Sequence, residues 1–258
     1  MTRGCDPSRV SILETIETYY DTAPRGNAEA EAHGPFTLFQ KAGPDGWDYY
    51  VRPRLGLTHD VTREDVDAAR ARRRELGATE SFEWVHETTP SLLAAVRASG
   101  LAVERCPLLV LDAPVRAVAE GVDIRMLSPD DDLSPVVAAV HAGFDGTDEV
   151  RPQASERQAR LMRAGLLALA GAYDAQRVVL GGGSHGPRGR TTELTGIAVL
   201  PRARRRGIGA AITAALVDDA HSRGVTTVFL SAQDDAVARV YERVGFVRVG
   251  TACIARLA

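Results

Sequence analysis

The sequence has almost no lysine: Lys41 stands alone among 31 basic residues, and the rest are arginines. Acidic residues number 34, so the net charge is −3. Neutralising a phosphate backbone needs a clear basic excess, so a dedicated nucleic-acid binder is not expected. Aromatics, at 5%, are also scarce for base stacking. Cysteine is limited to Cys5, Cys106 and Cys253, an odd number, far apart and without metal-ligand spacing. Neither a disulfide framework nor a zinc site follows, and no metal is expected. No apolar run approaches the ~20 residues that cross a bilayer. "MTRGCDPSRV" lacks the apolar core of a signal peptide. A soluble cytoplasmic protein is expected. The dominance of arginine, alanine and valine suggests a GC-rich bacterial genome.

What is present suffices for one large domain or two smaller lobes: 258 residues, 45% of them apolar. In the C-terminal half, "VDIRMLS" (122–128) alternates as a strand. "PDDDLSPVVAAVHAGF" opens on aspartates and continues with helical spacing, as a capped helix should. "SERQARLMRAGLLALAG" is expected as a helix from a Ser155 cap to Gly171. "AQRVVLGGGSHGPRGRTTELTGIAVL" is expected as two strands around a glycine-rich hairpin loop. Ile208, Ile212, Leu216 and Ala220 give the next helix one apolar face. "TTVFLSA" is a buried strand. Val237, Val240, Tyr241 and Val244 line one face of another helix, stopped by Gly245, and "FVRVGTACIARL" closes the chain as a strand.

The N-terminal half reads as a helix "SRVSILETIETYYD", then strands "PFTLFQKA" and "WDYYVRPRL", then a helix "TREDVDAARARRREL" capped by Thr62. "ESFEWVHE", "PSLLAAVRASG" and "LAVERCPLLVLDA" follow as strand, helix and strand. This order matches the end of the chain at a constant offset of 145, which lays Gly100 on Gly245, Leu101 on Phe246 and "FEWVH" on "TVFLS". We read a diverged structural repeat. Any two strand–helix–strand units also align loosely, which is the competing explanation. The expected organisation is a first lobe over 1–113, a linker over 114–121 and a second lobe over 122–258.

"PRARRRGIGAAI" (201–212) sets arginines and two glycines against a helix start. The first backbone N–H groups of a helix have no intrahelical partner, and the macrodipole is positive there. Gly207 and Gly209 allow an anion close to that backbone, so a pyrophosphate is the natural ligand. Walker A is excluded because its lysine and following Ser/Thr are missing. The dinucleotide fingerprint is excluded because Ile212 stands where its third glycine belongs. The first-lobe counterpart, "HDVTRE" (59–64), has neither glycine nor an arginine run.

"RRRGIG" (204–209), preceded by "VLP", has the form R-x-x-G-x-G and resembles the coenzyme A loop of the GNAT acyltransferase superfamily. "VYERVGF" (240–246) resembles that superfamily's Y-x-x-x-G-F signature. The resemblance covers about 121–258 and reaches the first lobe only through the repeat. It implies an α/β fold, a GNAT-like mixed sheet flanked by helices, with two related lobes in tandem. It also implies acetyl-CoA as co-substrate. Arg204, Arg205, Arg206, Gly207, Ile208, Gly209 and Ala210 would cradle the pyrophosphate. Ile197, Ala198 and Val199 would offer backbone groups to the pantetheine arm. Where the family often has Asn, this chain has Asp234, which cannot donate when ionised.

Acyl transfer to an amine needs a neutral amine, donors for the oxyanion and a proton for the leaving thiolate. By the resemblance, Tyr241 would protonate the sulfur. The other reading is a tyrosine packed on an apolar helix face. Glu193, eleven residues before Arg204, would be the general base; the other reading is a strand glutamate facing solvent or paired with arginine. The N–H of Val199, freed by a bulge, would meet the oxyanion. His141, His185 and His221 are expected to be structural or exposed, with His185 in the "GGGSHG" loop. No cysteine lies in the motifs, so direct transfer is expected over an acyl-cysteine route. The acidic runs "PDDD" and "DGTDE" either attract a cationic amine or form a solvated cap and loop.

The expected function is an acetyl-CoA-dependent N-acyltransferase acting in a ternary complex. The acceptor would be a small-molecule amine or, alternatively, a protein amine, with no nucleic acid or membrane partner. The alternative from another class is a non-catalytic acyl-CoA-binding or sensing module.

Overall fold

The computed structural model describes residues 7–43 and 48–257. Cys5, and Trp47 at the head of one expected strand, lie outside the described residues. The first half of the chain forms α1 (Pro7–Arg25), β1 (Ala28–His33), β2 (Phe36–Lys41), β3 (Val51–Pro53), α2 (Arg63–Glu75), β4 (Phe82–Val85), α3 (Ser91–Ala98) and β5 (Ala102–Leu111). The second half forms β6 (Asp123–Met126), α4 (Ser134–Phe144), α5 (Glu156–Arg163), β7 (Ala168–Tyr173), β8 (Val179–Arg188) and β9 (Thr191–Val199). It continues with α6 (Ile208–Ser222), β10 (Thr227–Ser231), α7 (Asp235–Glu242) and β11 (Phe246–Arg256). An offset of 145 carries Arg63, the start of α2, onto Ile208, the start of α6. It also carries Phe82 of β4 onto Thr227 of β10, and Ala102 of β5 onto Val247 of β11.

The chain divides into two compact units, and not by a single cut. The first comprises 1–109, 231–238 and 248–258; the second comprises 110–230 and 239–247. The stretch 114–121 thus lies within the second unit.

The first unit has the strand order β1-β2-β3-β4-β11-β5. β11, the last strand of the chain, pairs antiparallel with β4 through Ala252↔Val85, Cys253↔Trp84 and Ala255↔Phe82. Cys253 and Ala255 therefore join the core of Phe36, Phe82, Trp84, Leu92 and Val96. α2 starts with a reciprocal cap: Thr62 Oγ1 accepts from Asp65 N–H at 3.2 Å, and Asp65 Oδ2 accepts from Thr62 N–H at 2.9 Å. Its other end carries Arg73, fully buried. That guanidinium donates to Thr79 O, Phe39 O, Tyr49 O and Asp48 Oδ1 at 2.7–2.8 Å, fixing the β2–β3 connection to the helix.

The second unit has the order β10-β9-β8-β7-β6. Three consecutive glycines, 181–183, were expected in a loop but lie within β8. Packing explains them. A Cβ on Gly182 would stand 2.5 Å from Val136 Cγ1 of α4, and one on Gly183 would stand 2.8 Å from Ile197 and 3.0 Å from Ile212 of α6. Helices press on both faces of the strand too closely for side chains. The turn falls instead at Gly189, between β8 and β9.

The long helix expected over 155–171 is also corrected. α5 ends at Arg163, and 168–173 is strand β7. Gly165 adopts φ +70° just past the helix. Its N–H bonds Met162 O, and Leu166 N–H bonds Leu161 O, both at 2.9 Å. This left-handed cap terminates the helix six residues before Gly171. β1 was not expected, and the strand sought in "WDYYVRPRL" shrinks to Val51–Pro53. In α7, Val240 is exposed rather than on a buried face, and Ala238 is the buried position.

Arg73→Met should destabilise the chain by about 3 kcal/mol, because Asp48 and three carbonyls lose their donors together. Thermal unfolding should show a midpoint lower by roughly 10 °C. Arg74→Met, at a half-exposed pair with Glu80, should move it little. Equal effects of the two would contradict the role given to Arg73.

Candidate functional site

β9 pairs in parallel with β10 at three positions only: Thr191↔Thr227, Thr192↔Val228 and Glu193↔Phe229. Past Glu193 the strands part, and β9 runs on to Val199 with no partner on β10. On its other side β9 keeps pairing with β8, but the register shifts between Ser184↔Thr195 and Gly182↔Ala198. Gly196, at φ +63°, supplies the extra residue. Such a bulge increases local twist and turns the strand away from its neighbour. From Glu193 to Val199 the open edge is roughly 20 Å long.

At the far end of that edge the chain turns through a 3-10 segment (Pro201–Ala203) into α6. Gly207 takes the N-cap position at φ +75°, and no side chain caps the helix. The first helical bond is Ala211 N–H to Gly207 O at 3.0 Å, so the preceding N–H groups lack an intrahelical acceptor. A Cβ on Gly207 would meet nothing nearer than Val118 O at 3.8 Å, and one on Gly209 nothing nearer than Val199 Cγ2 at 3.9 Å. The backbone at both glycines is therefore uncrowded, as close approach of a bound anion would require. Arg205, also exposed, adopts φ +62°, an uncommon conformation for a residue with a side chain.

The arginines divide. Arg204 donates from Nε to Val199 O at 3.1 Å and from Nη2 to Gly143 O at 2.7 Å, tying α4, β9 and the loop together. Arg202 holds Asp148, whose carboxylate accepts its backbone N–H at 3.1 Å. Arg205 and Arg206 are exposed, whereas Ile208 is buried and offers only its backbone. Sequence reasoning missed the structural use of Arg204. Its signal would have been the close approach of Gly143, whose Cβ position is 3.0 Å from Ala198 Cβ.

Glu193 sits at the point where the strands part and is half-buried. Tyr241, on α7, packs edge-on against Phe246 with centroids 5.9 Å apart. Burial pushes its phenol up to about 12, so it stays protonated at neutral pH. Asp234 caps α7, its carboxylate accepting from Val237 N–H at 2.8 Å. The acidic runs form caps and turns: Asp131 accepts from Ser128 N–H, Asp132 from Ser134 N–H, and Asp130 pairs with Arg163. His141 and His221 are exposed.

His185 is not in a loop. It is fully buried in β8, with Nε2 2.7 Å from Asp219 Oδ2 and Nδ1 3.0 Å from Thr192 Oγ1. As a neutral ring it donates from Nε2 to the carboxylate and accepts the threonine hydroxyl at Nδ1. Burial lowers its pKa; the pull of Asp219 is weakened because that carboxylate already pairs with Arg223 at 2.5 Å. A depressed histidine contributes stability that is complete above the unfolded value near 6.5 and is lost as pH falls below it. The thermal midpoint should therefore drop between pH 7 and 5, and His185→Gln should flatten that slope. An unaltered slope in the variant would place the titration elsewhere.

Residues 141–246 match the Acetyltransferase (GNAT) family. Among solved structures, a GCN5-related N-acetyltransferase from Kribbella flavida is 19% identical, with a TM-score of 0.72 over 95% of each chain. A functionally unknown conserved protein from Staphylococcus epidermidis ATCC 12228 is 16% identical, with a TM-score of 0.59 over 92% of this chain and 96% of its own. A tandem GNAT protein from the clavulanic acid biosynthesis pathway is 17% identical, with a TM-score of 0.56 over 85% of this chain and 77% of its own. At these identities the likeness is one of fold. No curated protein matches the chain in sequence. Among the described residues, no helix is long and apolar enough to cross a membrane.

Proposed function

We propose that this chain, whose residues 141–246 match the GNAT acetyltransferase family, is an acetyl-CoA-dependent N-acyltransferase acting on a primary amine by direct attack in a ternary complex. The observation that carries this reading is the open edge of β9 after Glu193, ending at an uncapped helix start with Gly207 in the left-handed region. Bound acetyl-CoA supplies an acyl group activated as a thioester. The backbone N–H groups from Arg205 to Ala210 hold its pyrophosphate, and Arg205 and Arg206 add charge. Arg204 supports the site from behind: its N–H bonds Pro201 O at 3.2 Å and its guanidinium braces α4 and β9. Ile197, Ala198 and Val199 hydrogen-bond the pantetheine arm as a neighbouring strand would.

Glu193, at the closed end of the splay, takes the proton of the amine. Val199 and Glu193 lie at opposite ends of a roughly 20 Å edge, so both cannot serve one carbonyl. The bulge at Gly196 and Ile197 lies about halfway, and its N–H is the better donor to the carbonyl oxygen as charge builds there. Tyr241 stays protonated and delivers its proton to the departing sulfur. Cys106 and Cys253 are buried, and burial pushes Cys253 up to about 11, so neither is an activated nucleophile. The acceptor is a small-molecule amine.

Calorimetry should find one coenzyme A per chain, because the first-lobe counterpart of the loop is closed by the Thr62 cap. Gly207→Val should abolish that binding while costing the fold only about 1–2 kcal/mol. Two equivalent sites, or unchanged affinity in the variant, would contradict the assignment of the loop.

Tyr241→Phe should slow transfer on the order of 10²-fold, less for a donor with a more acidic thiol. Glu193→Gln should remove the rise of rate with pH while leaving cofactor affinity intact. Wild-type turnover in Tyr241→Phe, where chemistry limits the rate, would return the tyrosine to a packing role. Coenzyme A binding without any transfer across an amine panel would favour the non-catalytic binding module.

A further inference from the structure

The first unit carries a cleft of about 580 Å³ that acyl transfer does not use. It lies where the chain leaves β3 (Pro53–Leu57) and β4 (Glu87–Thr89), against α1 and Val249 of β11. β3 and β4 pair in parallel only at Val51↔Phe82, so these strands part as β9 and β10 do. The offset of 145 carries Pro53 onto Ala198 and Glu87 onto Ala232. The cleft is thus the first unit's counterpart of the splay, with different chemistry. The start of α2 is shut by the Thr62 cap and carries Glu64 and Asp65 in its first turn, so it repels an anion.

The cleft wall is acidic and apolar together. Glu14, Glu17 and Glu87 face a single cation, Arg54. Two of the carboxylates are fixed by main-chain donors. Glu17 Oε1 accepts from Val85 N–H at 3.2 Å and from the Thr88 hydroxyl at 2.6 Å, and Glu87 Oε2 accepts from Thr251 N–H at 2.8 Å. Each keeps a second oxygen that takes no protein donor among the described residues. A cleft of about 580 Å³ with apolar walls beside its carboxylates has room for an organic cation. Leu13, Leu57 and Val249 supply apolar wall, and Leu55 is left 48% exposed.

The geometry points to a second ligand site, in the first unit, for an organic ammonium ion carrying an apolar chain. Its carboxylates take the ammonium donors and its leucines cover the chain. The site is independent of coenzyme A binding in the second unit.

The test titrates the full chain calorimetrically with n-octylammonium, and with n-octanol and n-octyl sulfate as uncharged and anionic controls. One octylammonium site per chain is expected, at least about tenfold tighter than either control and weakening with salt. Glu17→Gln with Glu87→Gln should weaken it at least tenfold. Leu55→Lys, at an exposed position that does not support the fold, should do the same. Both variants should bind coenzyme A as the wild type does. The proposal is overturned if octylammonium gives no heat at millimolar concentration, if octyl sulfate binds as tightly, or if Leu55→Lys binds it unchanged. Displacement of octylammonium by coenzyme A would also overturn it, placing that ligand in the second unit.

Discussion

Parallel strands ordinarily share hydrogen bonds along their common length, and β9 and β10 stop sharing them after Glu193 and Phe229. The second unit is arranged around that separation. Gly196 adds a residue to β9 and increases its twist, while Gly143 lets α4 come against Ala198 and Val199. The glycines of β8 let α4 and α6 close on both faces, so the bent strand is held in place from either side. An edge of unpaired backbone groups costs about 1–3 kcal/mol for each group that water or a ligand does not satisfy. A ligand with amide groups of its own recovers that cost along the edge. An apolar chain would leave that cost unrecovered.

The offset of 145 sets two helix starts against each other, and they end differently. At the position of Gly207 the first unit has Thr62, whose hydroxyl accepts from the Asp65 N–H, whereas no side chain caps α6. A cap of this kind contributes about 1 kcal/mol to its helix. α6 goes without that contribution and keeps its donors open. The difference is carried by one residue type at one site. The buried network of Arg73 has no counterpart in the second unit, since the same offset places Asp218 there. The first unit fastens its helix through Arg73, and the second fastens α6 through Asp219, which holds the buried His185 of β8.

What could be read in the sequence was local. Thr62 announced a cap, and Arg204–Gly209 announced an exposed helix start, because each depends on residues a few positions apart. The element correspondence at an offset of 145 was legible because it preserves spacing. What escaped depends on partners far along the chain. β8 reads as a glycine loop until α4 and α6 are packed on it. "GLLALAG" has the composition of a helix, and only the left-handed turn at Gly165 separates it from α5. β11 alternates like any strand, and nothing in that alternation tells that its partner is β4. His185 reads as a loop residue until Thr192 and Asp219 are brought to its two nitrogens. The roles of Glu193 and Tyr241 rest on the family resemblance, with the strand separation and the raised phenol as support.

The arginine run is better understood as separate devices than as one basic patch. Arg202 and Arg204 face inward to protein acceptors, Asp148 and the carbonyls of Val179, Val199 and Gly143. Arg205 and Arg206 remain in front of α6, where the helix macrodipole is already positive. A cation in that place is unfavourable by roughly 0.3–1 kcal/mol. Arg205 adds the cost of a left-handed backbone, about 1–2 kcal/mol. Two local conflicts at one exposed turn have no structural compensation nearby, and conflicts of this kind concentrate at functional sites. An anion at the helix start relieves the first conflict and gives the second a purpose, because the strained backbone then presents donors to it. The charge, the strained backbone and the missing cap thus share one turn, and a bound anion is the single partner that would suit all three.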